Sequence, residues 1–347
     1  MSGPIFITGA SRCGTELLRS VLNRHPEVYI TGETHYFADP RRRLTNPDAP
    51  SDAERQMLLD HFMRVSQHGY GMPISATDGP ARERLVSAWD AAGPRADDLF
   101  AANCEIRACA EDKSRWGEKT PRHLYSIDDI LRAFPTAQII VCQRDPRAAV
   151  ISYRDWRNNW FERETLDDDT LAAVLLEERR ARRSYSLTFA ALLWRSAIET
   201  GRAAQARHGK DRVYLHRYED LVENPEKTVK EITDWLKLSF TTDVLHVNIV
   251  NSSYTKLENS RGIDPLVGNR WRGKITPDEA SYIEFLTASQ MKALGYSRDY
   301  ERPSAIFLAS QAARMGPEFF KILLANRARL GNIPQFIKER SRGALHR

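Results

Sequence analysis

The 347-residue sequence lacks the usual signatures of a metalloprotein, a disulfide-linked protein and a membrane-spanning protein. Its nine histidines form no H-E-x-x-H motif or comparable cluster, so no metal site is predicted. Its four cysteines form no C-x-x-C pair, which favours free thiols in a reducing compartment. No apolar run approaches the length of a membrane-spanning helix, and the N-terminal residues resemble no secretory signal.

The positive charge of the chain is concentrated in its last part. Residues 301–347 hold nine lysines and arginines against three acids, a net charge of +6, whereas the whole chain carries +5. The remainder is therefore close to neutral, at −1. Because no zinc-finger spacing or aromatic RNA-binding motif accompanies the basic residues, no nucleic-acid partner is predicted.

Strand-like and helix-like patterns alternate along the chain, which predicts an α/β fold with a central parallel sheet flanked by helices. The predicted strands are residues 5–8, 28–30, 138–143 and 213–216. The predicted helices follow the first strand and cover residues 126–134, 146–160, 187–208 and 225–236, with a charge-dense, solvent-facing helix near 166–183. Residues 1–300 are expected to form one domain, in which residues 39–115 make a mostly helical insertion over the active face.

Residues 301–347 are expected to form a basic, helical C-terminal tail. Residues 305–313 and 319–330 have amphipathic spacing and are separated by Gly316-Pro317, so two helices are predicted. The favoured interpretation is that they pack on the domain or on a second copy of the chain in a homo-oligomer. Contact with a membrane surface is the alternative.

The segment after the first predicted strand predicts a site for a phosphate group. Residues 5–16 read IFITGASRCGTE and lead into a helical pattern. Glycine lets a phosphate approach the backbone, and a helix start offers free N–H groups and the positive end of the dipole. The Gly-x4-Gly spacing matches a nucleotide P-loop, but Thr15 replaces its lysine and Glu16 replaces its Mg²⁺-binding hydroxyl. A ligand held by Arg12 without metal is therefore predicted.

A second segment, residues 138–152, reads QIIVCQRDPRAAVIS. Its apolar strand delivers Arg144 to the carboxyl end, and Pro146 stands where a helix would begin. Ligands of open parallel sheets bind beyond the carboxyl ends of the strands, so Arg144 and Ser152 are predicted to bind a phosphate. The alternative is an Arg144–Asp145 surface pair, with the serine facing its own helix backbone.

Two further segments place ionisable side chains in predicted loops. Residues 32–37 read GETHYF and follow the second strand, and residues 116–121 read WGEKTP. Either could supply part of a buried acid–base pair. Solvated loop charges are the alternative for each segment.

These segments together resemble the sulfotransferases that use 3′-phosphoadenosine-5′-phosphosulfate (PAPS). The glycine loop resembles their 5′-phosphosulfate loop, and residues 144–152 resemble their 3′-phosphate site. Residues 213–221 match a further block, and residues 267–272 (VGNRWR) resemble the region that closes over the cofactor. GETHYF and EKTP most resemble the branch containing protein-tyrosine and heparan-sulfate sulfotransferases.

The resemblance implies a P-loop NTPase-like sulfotransferase fold and transfer of a sulfuryl group from PAPS to an acceptor hydroxyl, with no metal. It implies Glu33 as general base, Lys119 at the leaving oxygen and Arg12 at the phosphosulfate. The implied PAPS-binding residues are Ser11, Arg12, Cys13, Gly14, Thr15, Glu16, Arg144, Ser152, Tyr218, Arg270 and Trp271. Candidates near the reaction centre are His35, Ser252 and Ser253. Burial under the insertion is expected to raise the pKa of Glu33 and so strengthen it as a base.

Two other functions remain as alternatives. A P-loop kinase or NTPase using ATP would need the lysine and the Mg²⁺ ligand that the loop lacks. A non-catalytic nucleotide-binding module would not need Glu33 or Lys119. The N-terminal residues and the lack of an anchor predict that the protein is located in the cytoplasm, the compartment in which PAPS is made. That location favours a sugar, lipid-linked or small-metabolite acceptor, with tyrosine as the alternative.

Overall fold

A five-stranded parallel sheet forms the centre of the fold. A computed structural model describes residues 3–68, 79–155, 168–246 and 271–330. The strands are β1 (Ile5–Gly9), β2 (Val28–Thr31), β3 (Arg115–Lys119), β4 (Gln138–Gln143) and β5 (Val213–Arg217), in the spatial order β2-β3-β1-β4-β5. Every neighbouring pair is parallel, which confirms the predicted α/β fold.

Helices occupy the connections between the strands and continue beyond the last strand. The first six are α1 (Thr15–Leu22), α2 (Asp52–His68), α3 (Gly79–Ala92), α4 (Ala96–Ala110), α5 (Ile127–Ala133) and α6 (Pro146–Asp155). The next six are α7 (Asp168–Ser184), α8 (Leu187–His208), α9 (Tyr218–Glu223), α10 (Pro225–Leu236), α11 (Pro277–Ala293) and α12 (Ala305–Leu330). The predicted insertion therefore contains α2, α3 and α4, whereas the division into domain and tail stays a prediction.

Strand β3 was not predicted from the sequence. Residues 116–119, expected in a loop, form a strand because their charged neighbours have internal partners. The guanidinium of Arg115 donates hydrogen bonds to the carbonyl oxygens of Gly3 and Leu236 and to the side chain of Gln138, each at 2.7 Å. Glu118 is fully buried as well. A charged strand can therefore pair on both edges inside this sheet.

The C-terminal segment forms one helix rather than the predicted two. Pro317 lies inside α12, which packs along α7. The residues beside Pro317 are held to the preceding helices, since Ser186 donates a hydrogen bond to Glu318 and Phe189 packs against Phe319. Because α12 covers part of α7, the prediction of a solvent-facing helix near residues 166–183 holds for only part of its surface. No helix in the four described ranges is long and apolar enough to span a bilayer.

The outer surface of α12 combines exposed apolar and basic residues. Ile306, Phe320 and Leu324 are among its most exposed apolar side chains. Arg314 and Lys321 are exposed on the same helix. The described part of this helix thus carries basic and apolar side chains on its surface, and the basic amphipathic tail stays a prediction.

The order of the strands places a topological switch point at β1. Strands β2 and β3 lie on one side of β1 within the sheet, and β4 and β5 lie on the other side. In open parallel sheets, ligands bind at such a point, beyond the carboxyl ends of the strands. The loops after β1 and β2, the end of β3 and the residues after β4 and β5 all meet at this edge.

Candidate active site

The glycine loop after β1 is shaped by two residues with left-handed backbone conformation. Gly14 has φ +86° and Arg12 has φ +68°. A Cβ atom on Gly14 would lie 2.2 Å from the ring of Tyr218, so only glycine fits beneath that ring. Arg12 adopts a backbone conformation that is uncommon for a residue with a side chain, which the surrounding loop must hold in place. Thr15 is buried at the start of α1.

Two arginines from different strand ends converge beside this loop. Arg12 Nε donates a hydrogen bond to Ser152 Oγ at 3.1 Å, and Arg144 Nη1 donates one to the backbone oxygen of Arg12 at 3.2 Å. The Arg144 guanidinium lies over the ring of Tyr218, 4.2 Å from its centre. Arg144 Nε is buried and lacks a hydrogen-bond partner within the described ranges. These residues can therefore hold an anion, as the chemistry of a phosphate site requires.

The alternative interpretation of Arg144 as half of a surface ion pair does not hold. Asp145 binds Arg147 instead, with 2.6 Å between its Oδ2 and Nη2 of the arginine. The backbone N–H of Asp145 donates to Glu219 Oε1 at 3.0 Å. Ser152 likewise accepts its hydrogen bond from the glycine loop. The local sequence could not decide between the two interpretations, because Arg147, two residues after Asp145, is a second nearby cation.

On the other side of the glycine loop, Lys119 binds two carboxylates. Its Nζ lies 2.7 Å from Glu33 Oε1 and 2.9 Å from Glu16 Oε2. Glu16 also pairs with Arg19, at 2.6 Å. The ammonium group is almost fully buried, whereas the side chain of Glu33 remains 38% exposed. The structure thus places the two residues predicted as cation and base in direct contact.

The environment of Glu33 changes its acidity in the direction opposite to the prediction. Burial raises the pKa of Glu33, but the Lys119 cation and a hydrogen bond from His35 outweigh it and hold that pKa well below its usual range. His35 Nε2 lies 3.0 Å from Glu33 Oε2, and burial lowers the pKa of His35. Burial lowers the pKa of Lys119 too, but its two carboxylates raise it above the ordinary value. Glu33 is therefore ionised and Lys119 protonated.

The remaining predicted residues lie in several different places. Cys13 is fully buried, and burial raises the pKa of its thiol to about 12, so it offers no thiolate. Ser11 is partly exposed in the turn. The ring of Trp271 contacts Arg147 and Arg272. The predictions for Arg270, Ser252 and Ser253 fall outside the described residues.

Two charged side chains around the site were not predicted. Arg19 binds Glu16 from three residues further along α1, a spacing that is visible in the sequence. Glu118 precedes Lys119 and binds Thr34, a partner 84 residues away, which no local pattern reveals. Among the described residues, no group of histidine, cysteine and acidic side chains could hold a metal ion.

Comparison with known proteins agrees with the fold. Residues 4–242 match the model of the sulfotransferase family. Protein-tyrosine sulfotransferase 1 of Danio rerio is 26% identical over 88% of this chain and 76% of its own length. A putative protein-tyrosine sulfotransferase of Caenorhabditis briggsae is 22% identical over 86% of this chain and 91% of its own.

Solved structures support the fold. The sulfotransferase domain of the Synechococcus PCC 7002 olefin synthase aligns with a TM-score of 0.52, at 20% identity, over 86% of this chain and 97% of its own. The sulfotransferase domain from the curacin biosynthetic pathway aligns with a TM-score of 0.50, at 18% identity, over 87% of this chain and 99% of its own. Both likenesses confirm the predicted P-loop-like sulfotransferase fold.

The predicted cytoplasmic location is wrong by the same comparison. The relatives are named as protein-tyrosine sulfotransferases rather than as cytoplasmic enzymes. The prediction rested on a leader and an anchor that were not seen in the sequence, and such absences do not determine a compartment. The predicted family does hold: with its model matched over well more than half of the residues, this chain belongs to the sulfotransferase family.

Proposed function

We propose that this protein transfers a sulfuryl group from PAPS to an acceptor hydroxyl by in-line displacement. The observation that carries the proposal is the meeting of Arg12, Arg144 and Ser152 at the sheet edge where Lys119 binds Glu33. An anion site and an acid–base pair side by side are what group transfer from a phosphate-bearing donor requires. Membership of the sulfotransferase family supports the choice of the sulfuryl group.

The residues around the glycine loop fit the phosphate groups of PAPS. Arg144 and Ser152 would hold the 3′-phosphate, and Arg12 with the start of α1 would hold the 5′-phosphosulfate. The buried Nε of Arg144 supports this assignment, since within the described ranges it has no protein acceptor. When bound, PAPS supplies an activated sulfuryl group. Lys119, protonated between two carboxylates, would stabilise negative charge on the leaving oxygen.

Glu33 is proposed as the base that accepts the proton of the acceptor hydroxyl. Its carboxylate is ionised and remains partly exposed, so a hydroxyl can approach it. Its basicity is limited because Lys119 and His35 both stabilise the charged form. Any anion bound beside Lys119 competes with Glu33 for the ammonium group. Such competition raises the pKa of Glu33 and strengthens it as a base when the site is occupied.

The names of the relatives support tyrosine as the first acceptor to test. The sequence alone favoured a sugar, a lipid-linked or a small-metabolite hydroxyl, but that preference rested on a cytoplasmic location and loses its basis with it. Association of the tail with a second copy or with a membrane surface stays a prediction.

Transfer of ³⁵S from labelled PAPS to separate acceptor pools tests the proposal. The pools are tyrosine-containing peptides, oligosaccharides, lipid extracts and small hydroxylated metabolites, and each is assayed with and without Mg²⁺. Label is expected in at least one pool, and equally with EDTA present. Binding of PAPS without transfer to any pool would support a non-catalytic module, and Mg²⁺-dependent turnover of ATP would support a kinase or NTPase.

A further inference from the structure

The acidic residue that precedes Lys119 is fully buried and has no place in the chemistry proposed above. The Oε1 atom of Glu118 accepts hydrogen bonds from the Thr34 N–H at 3.0 Å, the Thr34 hydroxyl at 2.8 Å and the Thr120 hydroxyl. Its other oxygen lies 2.9 Å from Nδ1 of His123. A buried carboxylate persists only where donors or a cation stabilise it, and Oε1 of this one accepts three hydrogen bonds.

The hydrogen bond accepted by Nε2 of His123 determines which ring nitrogen carries the hydrogen. Nε2 accepts a hydrogen bond from the backbone N–H of Phe37 at 3.1 Å, so it carries no hydrogen. The ring hydrogen is therefore on Nδ1, facing Glu118. Thr34 and Thr120 also direct their hydroxyl hydrogens to the same carboxylate. Glu118 thus orients the hydroxyls of Thr34 and Thr120 and lies beside the ring of His123.

Those three side chains, together with Glu118 itself, bind four consecutive backbone N–H groups of the loop after β2. The acceptors for residues 34, 35, 36 and 37 are, in that order, the Glu118 carboxylate, the Thr120 hydroxyl, the Thr34 hydroxyl and the His123 ring, at 3.0, 3.2, 3.3 and 3.1 Å. The loop passes through His35, which has φ +55°. Such a backbone conformation persists only where its surroundings determine it.

We infer that Glu118 is a positioning residue for the acid–base pair. Side chains alternate along a strand, so Glu118 and Lys119 point to opposite sides of β3. On one side Glu118 binds Thr34, and on the other Lys119 binds Glu33. The buried contact fixes the loop in the conformation that brings Glu33 to Lys119. The inference rests on the proposed role of Glu33 and assigns its placement to one buried carboxylate.

Replacement of the carboxylate by an amide tests the inference. Glu118→Gln keeps the size of the side chain. If the amide oxygen faces Thr34, the NH₂ group faces the Nδ1–H of His123, so two hydrogen-bond donors point at each other. The N–H groups of residues 34–37 are expected to lose protection from hydrogen exchange, and kcat to fall by up to about 10²-fold, as a small misplacement can cause. The Kd for 3′-phosphoadenosine-5′-phosphate (PAP) is expected to stay within about twofold, since Arg12 and Arg144 lie elsewhere.

A pair of variants at Thr120 keeps the test decisive if Glu118→Gln fails to fold. Thr120→Val removes the hydroxyl that links Glu118 to the N–H of His35, and Thr120→Ser retains it. The valine variant is expected to lose protection at residue 35 and to have a lower kcat, whereas the serine variant restores both. Equal kcat in the two variants would overturn the inference.

Two measurements separate this inference from the proposed function. In the valine variant, the pKa of Glu33, followed by NMR of its carboxyl carbon, is expected to rise toward its ordinary value as the carboxylate leaves Lys119. This readout does not depend on turnover. An unchanged Glu33 pKa with lost kcat would overturn the positioning role, whereas a raised pKa without any sulfuryl transfer in the wild type would overturn only the proposed function.

Discussion

Lys119 and Glu33 form an ion pair in which Nζ and Oε1 are 2.7 Å apart. The side chains proposed as the cation and the base therefore stabilise each other's charged forms. Glu16 gives Lys119 a second carboxylate, so the ammonium group can leave Glu33 without becoming unpaired. Because Lys119 binds both carboxylates, it can stabilise the folded protein and also take part in the proposed chemistry.

PAP is expected to raise the melting temperature in the presence of EDTA. The glycine loop lacks the lysine and the Mg²⁺-binding hydroxyl of a P-loop and carries Arg12, so binding is expected to need no metal. A ligand that binds only the folded state stabilises it by about 2.7 kcal/mol at one hundred times its Kd. Differential scanning fluorimetry over a range of PAP concentrations measures the effect. Stabilisation by ATP with Mg²⁺ and none by PAP would contradict the PAPS assignment.

Arg144→Ala is expected to weaken PAP binding by roughly 10–100-fold, the loss of one or two hydrogen bonds to a charged group. The effect on kcat should be smaller, because the 3′-phosphate does not react. Calorimetry with PAP and with its 3′-dephosphorylated form isolates the contact. Arg132→Ala, which removes a highly exposed arginine, is the control. A variant that prefers PAP by the wild-type factor would place Arg144 away from that phosphate.

Glu33→Gln is expected to lower kcat by about 10²–10⁴-fold, the usual contribution of a general base. The amide retains shape and hydrogen bonding but cannot take the proton, whereas PAP affinity should not fall, because Glu33 competes with a bound anion for Lys119. Glu223→Gln, at an exposed position, is the matched control. Single-turnover kinetics with labelled PAPS measure the chemical step. If turnover stayed near normal, the base would lie elsewhere, and His35 would be the next residue to test.

Lys119→Met is expected to raise the pKa of Glu33 toward the ordinary carboxylate value by removing the nearby cation. In the wild type the folded-state pKa is depressed, so the ion pair contributes stability above the unfolded-state pKa of about 4.3, and that contribution is lost as the pH falls through the folded-state pKa. Urea denaturation between about pH 7 and pH 3 should therefore show a smaller acid loss in the variant. Identical acid profiles would show that Lys119 does not control Glu33.

Much of the fold could be predicted because its signals are local. The bounds of β4, α8 and α10 follow from apolar runs and helical spacing and agree with the sequence prediction. Strand β3 was missed because the partners of Arg115 and Glu118 come from distant parts of the chain. The second tail helix was predicted from Gly316-Pro317, but packing against α7 keeps α12 continuous.

The candidate site divides in the same way. The glycine spacing and the position of Arg144 after a strand are local features of the sequence. In the structure, Arg144 contacts Arg12 of the glycine loop. The acidity of Glu33 depends on Lys119, 86 residues away, so its burial alone gave the wrong direction. The orientation of Arg144 depended on whether Asp145 had another cation, and Arg147 supplies one.

The site is assembled from distant stretches of the chain, and this has a consequence for how the molecule matures. Arg12 meets Ser152 across 140 residues, and Arg144 meets the ring of Tyr218, which follows β5. If these residues bind the two phosphates of PAPS as proposed, a chain still emerging from the ribosome cannot bind both before the sheet is complete. Because such distant contacts form late in folding, a ligand bound there stabilises the folded protein but cannot assist the folding of an incomplete chain. In the proposed binding mode, nucleotide binding would therefore require that synthesis and folding of the sheet are complete.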